Sequence, residues 1–209
     1  SNTTANDNVA VGNNVLDANT TGTANVGVGY FVLSGNTTAS NNTGLGHKAL
    51  GANTTGDRNV AVGSLALDAN TTAAKNTAIG YQSLSANNTG SDNTGLGAFA
   101  LLVNTTGSFN VAVGQGSLES NTTASSNVGI GVGALQLNTT ASNNTAIGRA
   151  ALNQNTTGTQ NAALGFEALD ANTTGSNNVA IGDSCLSQNT TASNNTAVGR
   201  AALNANTTG

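Results

Sequence analysis

A seventeen-residue unit recurs along the whole chain without insertion or deletion, and that constancy of register limits the possible folds more than any single residue does. Its marker is an Asn that opens a short Asn-x-Ala/Gly-x-Gly segment, at Asn8, Asn25, Asn42, Asn59, Asn76, Asn93, Asn110, Asn127, Asn144, Asn161, Asn178 and Asn195. A fixed period in this range describes one supersecondary unit stacked on copies of itself, each too small to bury its apolar face alone. The chain therefore reads as a single array over 1–209, in which stability accrues from copy to copy.

Numbering the unit from the marker Asn separates constrained slots from free ones. The fourth slot holds Val, Ile or Leu (Val11, Leu45, Ile79), the fifth Gly, the ninth Leu (Leu16 through Leu203), the twelfth Asn and the fourteenth Thr. Helix is disfavoured, because Gly at the fifth slot and Gly or Ala at the fifteenth would interrupt it every two or three turns. β-Branched residues at the second and fourth slots, such as Val9 with Val11 and Thr77 with Ile79, instead have the period-two spacing of a short strand. A second extended stretch is expected through the Leu and the Asn-Thr-Thr segment, with a turn at the fifteenth slot. Two short strands and two turns make one coil of a parallel β-solenoid of about 12 rungs, a β-roll or β-helix. Rungs spaced about 4.8 Å apart give a rod of roughly 55 to 60 Å.

Composition removes several alternatives. Aromatic residues make up 3%, charged residues 7%, and Pro, Met and Trp are absent, so the usual interlocking core of large side chains is not available. Low charge with abundant Gly also suits disorder, but a disordered chain has no reason to hold Leu in one slot of every copy. A net charge of −4, with Lys48, Arg58, Lys75, Arg149 and Arg200 scattered, disfavours nucleic-acid binding. No run approaches the roughly twenty apolar residues of a membrane span, and no charged-then-apolar leader precedes the array. Ser1 to Asp7 reads as the tail of a preceding copy and the last copy lacks its final two slots, as expected for a segment of a longer fibre.

Charge placement supports the slot scheme. All fourteen charged side chains fall at the sixth, seventh, tenth, sixteenth or seventeenth slots, and none enters the strand. Asp17, Asp68, Glu119 and Asp170 recur every 51 residues, as do Thr43, Thr94, Thr145 and Thr196, which marks blocks of three rungs. The marker Asn residues are expected to stack as a ladder, each amide bonded to the next rung, since an unpaired buried amide is costly. If the second and fourth slots face inward, the third faces outward, yet it holds only Ala or Gly. Small residues on a surface predict close approach of another wall. Self-association follows as an expectation, either a parallel homotrimer or an end-to-end filament.

Segments such as NVAVGSLALDANTTAAK (59–75), NTAIGRAALNQNTTGTQ (144–160) and NAALGFEALDANTTGSN (161–177) resemble the repeats of bacterial and phage tail-fibre-domain proteins. Their NVAVG and NTAIG cores are also similar to the head repeats of trimeric autotransporter adhesins, whose coils form a parallel β-roll in a trimer. Those coils are usually shorter and lack the Asn-Thr-Thr extension. The resemblance implies an extracellular, cell-surface or virion location and a role as a fibre shaft or adhesin stalk. It transfers no catalytic residue.

Chemistry is sparse. His47 is the only imidazole and Cys185 the only thiol, eight rungs apart, so nucleophilic catalysis lacks its parts. His47 reads as a surface residue and Cys185 as a space-filler without a disulfide partner in the chain. The fifth-slot Gly is not followed by a regular Asp, and carboxylates three rungs apart, about 14 Å, cannot share an ion. No enzyme activity, metal or cofactor is expected. The Asn-x-Thr triplets do form N-glycosylation acceptors at Asn19, Asn36, Asn53, Asn70, Asn87, Asn104, Asn121, Asn138, Asn155, Asn172, Asn189 and Asn206. A sugar needs these residues exposed and a ladder needs them stacked, and the residues leave both open. Two further functions stay in view: a glycan-decorated surface filament, and an ice-binding β-solenoid that orders water on its Thr columns. Against the latter, adjacent Thr20 and Thr21 should point to opposite faces.

Overall fold

A computed structural model describes residues 4–207, and over that span the chain is a β-solenoid. Twelve strands, from β1 (Val9–Asn13), β2 (Val26–Tyr30) and β3 (Thr43–His47) to β12 (Thr196–Val198), lie in sequence order in one sheet. Every neighbouring pair is parallel, and equivalent slots face each other across each junction, as in Val26 with Thr43 and Ala78 with Gly95. Eleven strand intervals make the sheet about 53 Å long. No helix occurs among the described residues.

Each coil contributes one strand, not the two expected from the sequence. The Leu and Asn-Thr-Thr stretch is built from turns instead. The ninth-slot Leu adopts a left-handed backbone, φ 49° at Leu33 and 53° at Leu50, and the Asn three residues later donates its N–H to the Leu carbonyl, 3.1 Å for Asn36 to Leu33. Residues of the seventh and seventeenth slots are left-handed too, including Phe31 (φ 55°) and Asn41 (φ 61°). Such a conformation costs a non-glycine residue roughly 1 kcal/mol. Three per coil make corners that an extended chain cannot.

Rung-to-rung hydrogen bonds nevertheless run around most of the coil. Between residues 59 and 75, Val60 N–H reaches Asn76 O (2.8 Å), Gly63 N–H Leu45 O (2.8 Å) and Leu65 N–H His47 O (2.9 Å). Leu67 N–H reaches Ser83 O (3.1 Å), Ala69 N–H Ser85 O (3.2 Å) and Lys75 N–H Asp57 O (3.0 Å). The turns are thus stitched axially as the strand is, which answers where their backbone groups find partners. Glycine at the fifth slot follows from the same closeness: Gly63 has φ 135°, and a Cβ there would lie 2.5 Å from the carbonyl oxygen of Gly80.

The interior is narrow. Leu33, Leu50, Leu67 and their successors to Leu186 form a fully buried column, each contributing about 1.5–3 kcal/mol by transfer from water. Facing it are the small eighth-slot residues and the third-slot Ala or Gly of the strand: Ala61, Ala78 and Ala112 are all fully buried. The strand is therefore the reverse of the expectation. Its third slot points in and its second and fourth point out, because the coil is too thin to admit Val or Ile opposite the Leu column.

Candidate functional site

The inverted strand leaves a face of apolar side chains along the rod. Fourth-slot residues are partly or largely exposed, Val11 at 56%, Leu45 at 46% and Leu164 at 47%, and second-slot Val9 and Val26 join them. Neighbours along each column are about 4.8 Å apart, and the two columns are roughly 7 Å apart across the strand. No charged side chain lies in either column. Hydroxyls enter only through second-slot Thr, among them Thr43, Thr94, Thr145 and Thr196. The row of small third-slot residues, expected on the surface against a neighbouring wall, lies inside the coil instead. A large exposed apolar stripe takes its place.

Bulkier groups sit at the edge of this face. Tyr30 stacks on His47, with ring centroids 5.7 Å apart and planes 8° from parallel, and Phe31 meets Tyr30 edge-on at 4.5 Å. Tyr81 and Phe99 form another edge-on pair, and the Arg149 guanidinium lies 5.3 Å from the Phe166 ring centre. His47 is exposed, as its variable slot implies. Cys185 is buried and free, its Sγ 3.3 Å from Ala197 O, and burial pushes its thiol pKa up. Among the described residues, no three His, Cys, Asp or Glu side chains converge as metal ligands, and no helix is long and apolar enough to cross a membrane.

Two Asn columns are buried in the interior. The twelfth-slot residues Asn19 through Asn189 are all buried, and Asn206, in the last rung, is partly so. Asn36 is typical: its Nδ2 donates to Asn19 Oδ1 (2.9 Å) in the preceding rung and to Ala39 O (3.0 Å) in its own. The marker column converges on the same carbonyl, since Asn25 Nδ2 also donates to Ala39 O (2.8 Å). Asn25 Oδ1 in turn accepts the backbone N–H of Asn42 (2.9 Å). Among the described residues, the buried Asn42 Nδ2 is the one amide of these columns without a partner. The nitrogen that would carry a sugar at Asn36, Asn53, Asn70 and their equivalents is thus enclosed and doubly bonded.

The Thr residues beside this column divide as their adjacency implies. Thirteenth-slot hydroxyls turn back to the wall, Thr37 Oγ1 donating to Thr54 O (3.2 Å), while fourteenth-slot Thr38, Thr55 and Thr72 are exposed. Thr208 lies outside the described residues. Charges sit outside the coil, and the ion pair between Lys75 and Asp92 (3.8 Å) is of the exposed kind that contributes little. Asp170 differs: partial burial, then the nearby Glu167 charge, raise its pKa above the ordinary carboxylate range.

No family model, curated protein or solved structure matches this chain.

Proposed function

We propose that the chain is a structural element of an extracellular fibre or filament, a stiff rod of the phage-shaft or adhesin-stalk kind, whose copies associate side by side through the strand face. The observation that carries this reading is the uncharged stripe of Val, Ile and Leu that runs from β1 to β12. Its fourth-slot side chains are partly to largely exposed in every rung, an unbroken apolar run of the kind that marks an interaction surface.

A second copy is the partner that suits the stripe. The face is about 50 Å long and only two columns wide, a shape that a globular partner covers over a short part of its length. Another rod has the same axial spacing and covers all of it, so that side chains interdigitate rung for rung as between packed sheets. The absence of charge leaves nothing to select a nucleic acid or an ionic headgroup. Stiffness comes from the axial hydrogen bonds of backbone and Asn, which each interior rung shares with two neighbours.

Sedimentation and electron microscopy test the proposal together. Particles at two or more times the 20.3 kDa chain mass are expected, imaged as rods with an axial repeat near 4.8 Å. The double substitution Ile79→Lys with Ile130→Lys, on the outer face, is expected to give folded monomers. A native chain that sediments as a monomer at micromolar concentration overturns lateral association. A monomer with thermal hysteresis would assign the same face to ice instead.

A further inference from the structure

The third rung carries a hollow on its outer surface. The tenth slot holds Asp, Ser, Leu, Glu, Gln or Asn in every other copy, but Gly51 in the third. Beside it lies a cavity of about 270 Å³ bounded by Phe31, Ser34, Lys48, Gly51, Ala52 and Asp68. Ser34 and Asp68 lie one rung to either side of Gly51, about 10 Å from each other. Phe31 borders the hollow, and its ring is in edge-on contact with Tyr30, which itself stacks on His47.

The polar groups of the hollow are of both kinds. Asp68 is fixed by the Ser85 hydroxyl, which donates to its Oδ1 at 2.7 Å. Lys48 makes no ion pair with it, the one pair among the described residues being Lys75 with Asp92. Ser34 Oγ donates to Gly51 O (3.2 Å) and keeps its lone pairs as acceptors. The hollow thus offers a carboxylate that accepts, an ammonium that donates and an aromatic face whose negative quadrupole attracts polarised C–H groups.

We infer that this hollow binds one pyranose ring of a sugar, with its C–H face against Phe31 and neighbouring hydroxyls between Asp68 and Lys48. An anion would meet the Asp68 carboxylate and a cation the Lys48 ammonium, whereas a vicinal diol satisfies both. A zwitterion has the matching charges but no apolar face for the Phe31 ring. The volume falls just below the range of about 300–1,000 Å³ for drug-sized ligands, which suits a single ring. The site is open to water, so affinity is expected in the millimolar range, roughly −4 kcal/mol at 1 mM.

Saturation-transfer and chemical-shift NMR with a panel of methyl pyranosides, and with glycine as the zwitterion, test this. Transfer to at least one pyranoside and shifts of the Phe31 ring protons are expected, with no response to glycine. Gly51→Asn fills the hollow with a residue the slot already carries at Asn153, and Phe31→Ser removes the ring with a residue its slot carries at Ser184. Each is expected to weaken binding roughly tenfold or more while melting as the native chain does. The inference is overturned if no pyranoside gives transfer, if glycine alone does, or if both folded variants bind like the native protein.

Discussion

The Cγ1 methyl of Val32 occupies the space that a side chain on Gly44 would need: a Cβ built on Gly44 lies 2.5 Å from it. The relationship joins the eighth slot of one rung to the third slot of the next, and it recurs. Val15 faces Gly27, Ser83 faces Gly95 and Ser117 faces Gly129, with the same conflict at 2.5–2.6 Å. Where the eighth slot is Ala, as at Ala49, Ala66 and Ala100, the facing residue is Ala61, Ala78 or Ala112. Cys185 opposite Ala197 departs from the rule, with its Sγ directed to the Ala197 carbonyl. Total volume at the contact is thereby kept nearly constant, as a close-packed interior requires.

Gly44→Ala is accordingly expected to destabilise the rod by about 1–3 kcal/mol through overpacking. In the Val32→Ala background the same change recreates the Ala49–Ala61 pairing and is expected to be nearly neutral or favourable. Urea unfolding of the four proteins measures the coupling. Additive effects would contradict the contact.

The buried Leu column and the exposed sixth slot give opposite expectations. Leu118 is fully buried and Gln115 is exposed. Leu118→Asp places a carboxylate in the interior and is expected to cost about 4–5 kcal/mol or more, whereas Gln115→Lys stays within about 0.5 kcal/mol. Equal melting of the two variants would show the assignment of slots to be wrong.

Removing one member of the twelfth-slot ladder should be felt on both sides. Asn121 Nδ2 donates to Asn104 Oδ1 (2.8 Å) and Ala124 O (3.1 Å), and its Oδ1 accepts from Asn138 Nδ2 (3.1 Å). Asn121→Ala leaves Asn104 Oδ1 without this donor and is expected to cost roughly 2–4 kcal/mol. The same enclosure bears on sugar attachment. In folded rods purified from a host that N-glycosylates, Asn121 and its buried twelfth-slot equivalents are expected to be unmodified, because a sugar at Nδ2 removes a donor hydrogen and needs space outside the coil. Peptide-level mass spectrometry reads these positions apart from the exposed Asn41, Asn143 and Asn194, which also open Asn-x-Thr triplets.

Asp170 makes stability depend on pH in a particular direction. Its folded pKa is raised, chiefly by burial, so between its unfolded and folded values the native state holds more protons than the unfolded one. Stability therefore falls as pH rises through that window, and at neutral pH the ionised group is a net burden. Asp170→Asn, the residue found in this slot at Asn153, is expected to raise the melting midpoint at neutral pH. The gain should shrink as pH falls through that window and vanish below the unfolded value. A midpoint difference independent of pH would contradict the burial argument.

Much of the architecture was legible in the residues. The repeat of Leu16 to Leu203 located the buried column, and the marker Asn series located the axial amide bonds. The slots of all fourteen charges correctly placed them outside the wall. The turn from Leu33 to Asn36 was harder to read, because Leu has no preference for a left-handed backbone and adopts it only where neighbouring rungs hold it. The hollow at Gly51 was missed as well. One glycine in a variable column is conspicuous only once Phe31, Lys48 and Asp68 are known to border it.

By itself, the sequence determined the period, the number of rungs and which residues stack on their own copies, since a strict register permits only equivalent slots to align. Tertiary structure alone decided which side of the strand is the inside. Alternation at Val60, Ala61 and Val62 is equally regular from either face, so the pattern carries no sign. The choice came from volume: opposite the Leu column there is room for a methyl group and no more, and the larger side chains are left on the surface for a partner to cover.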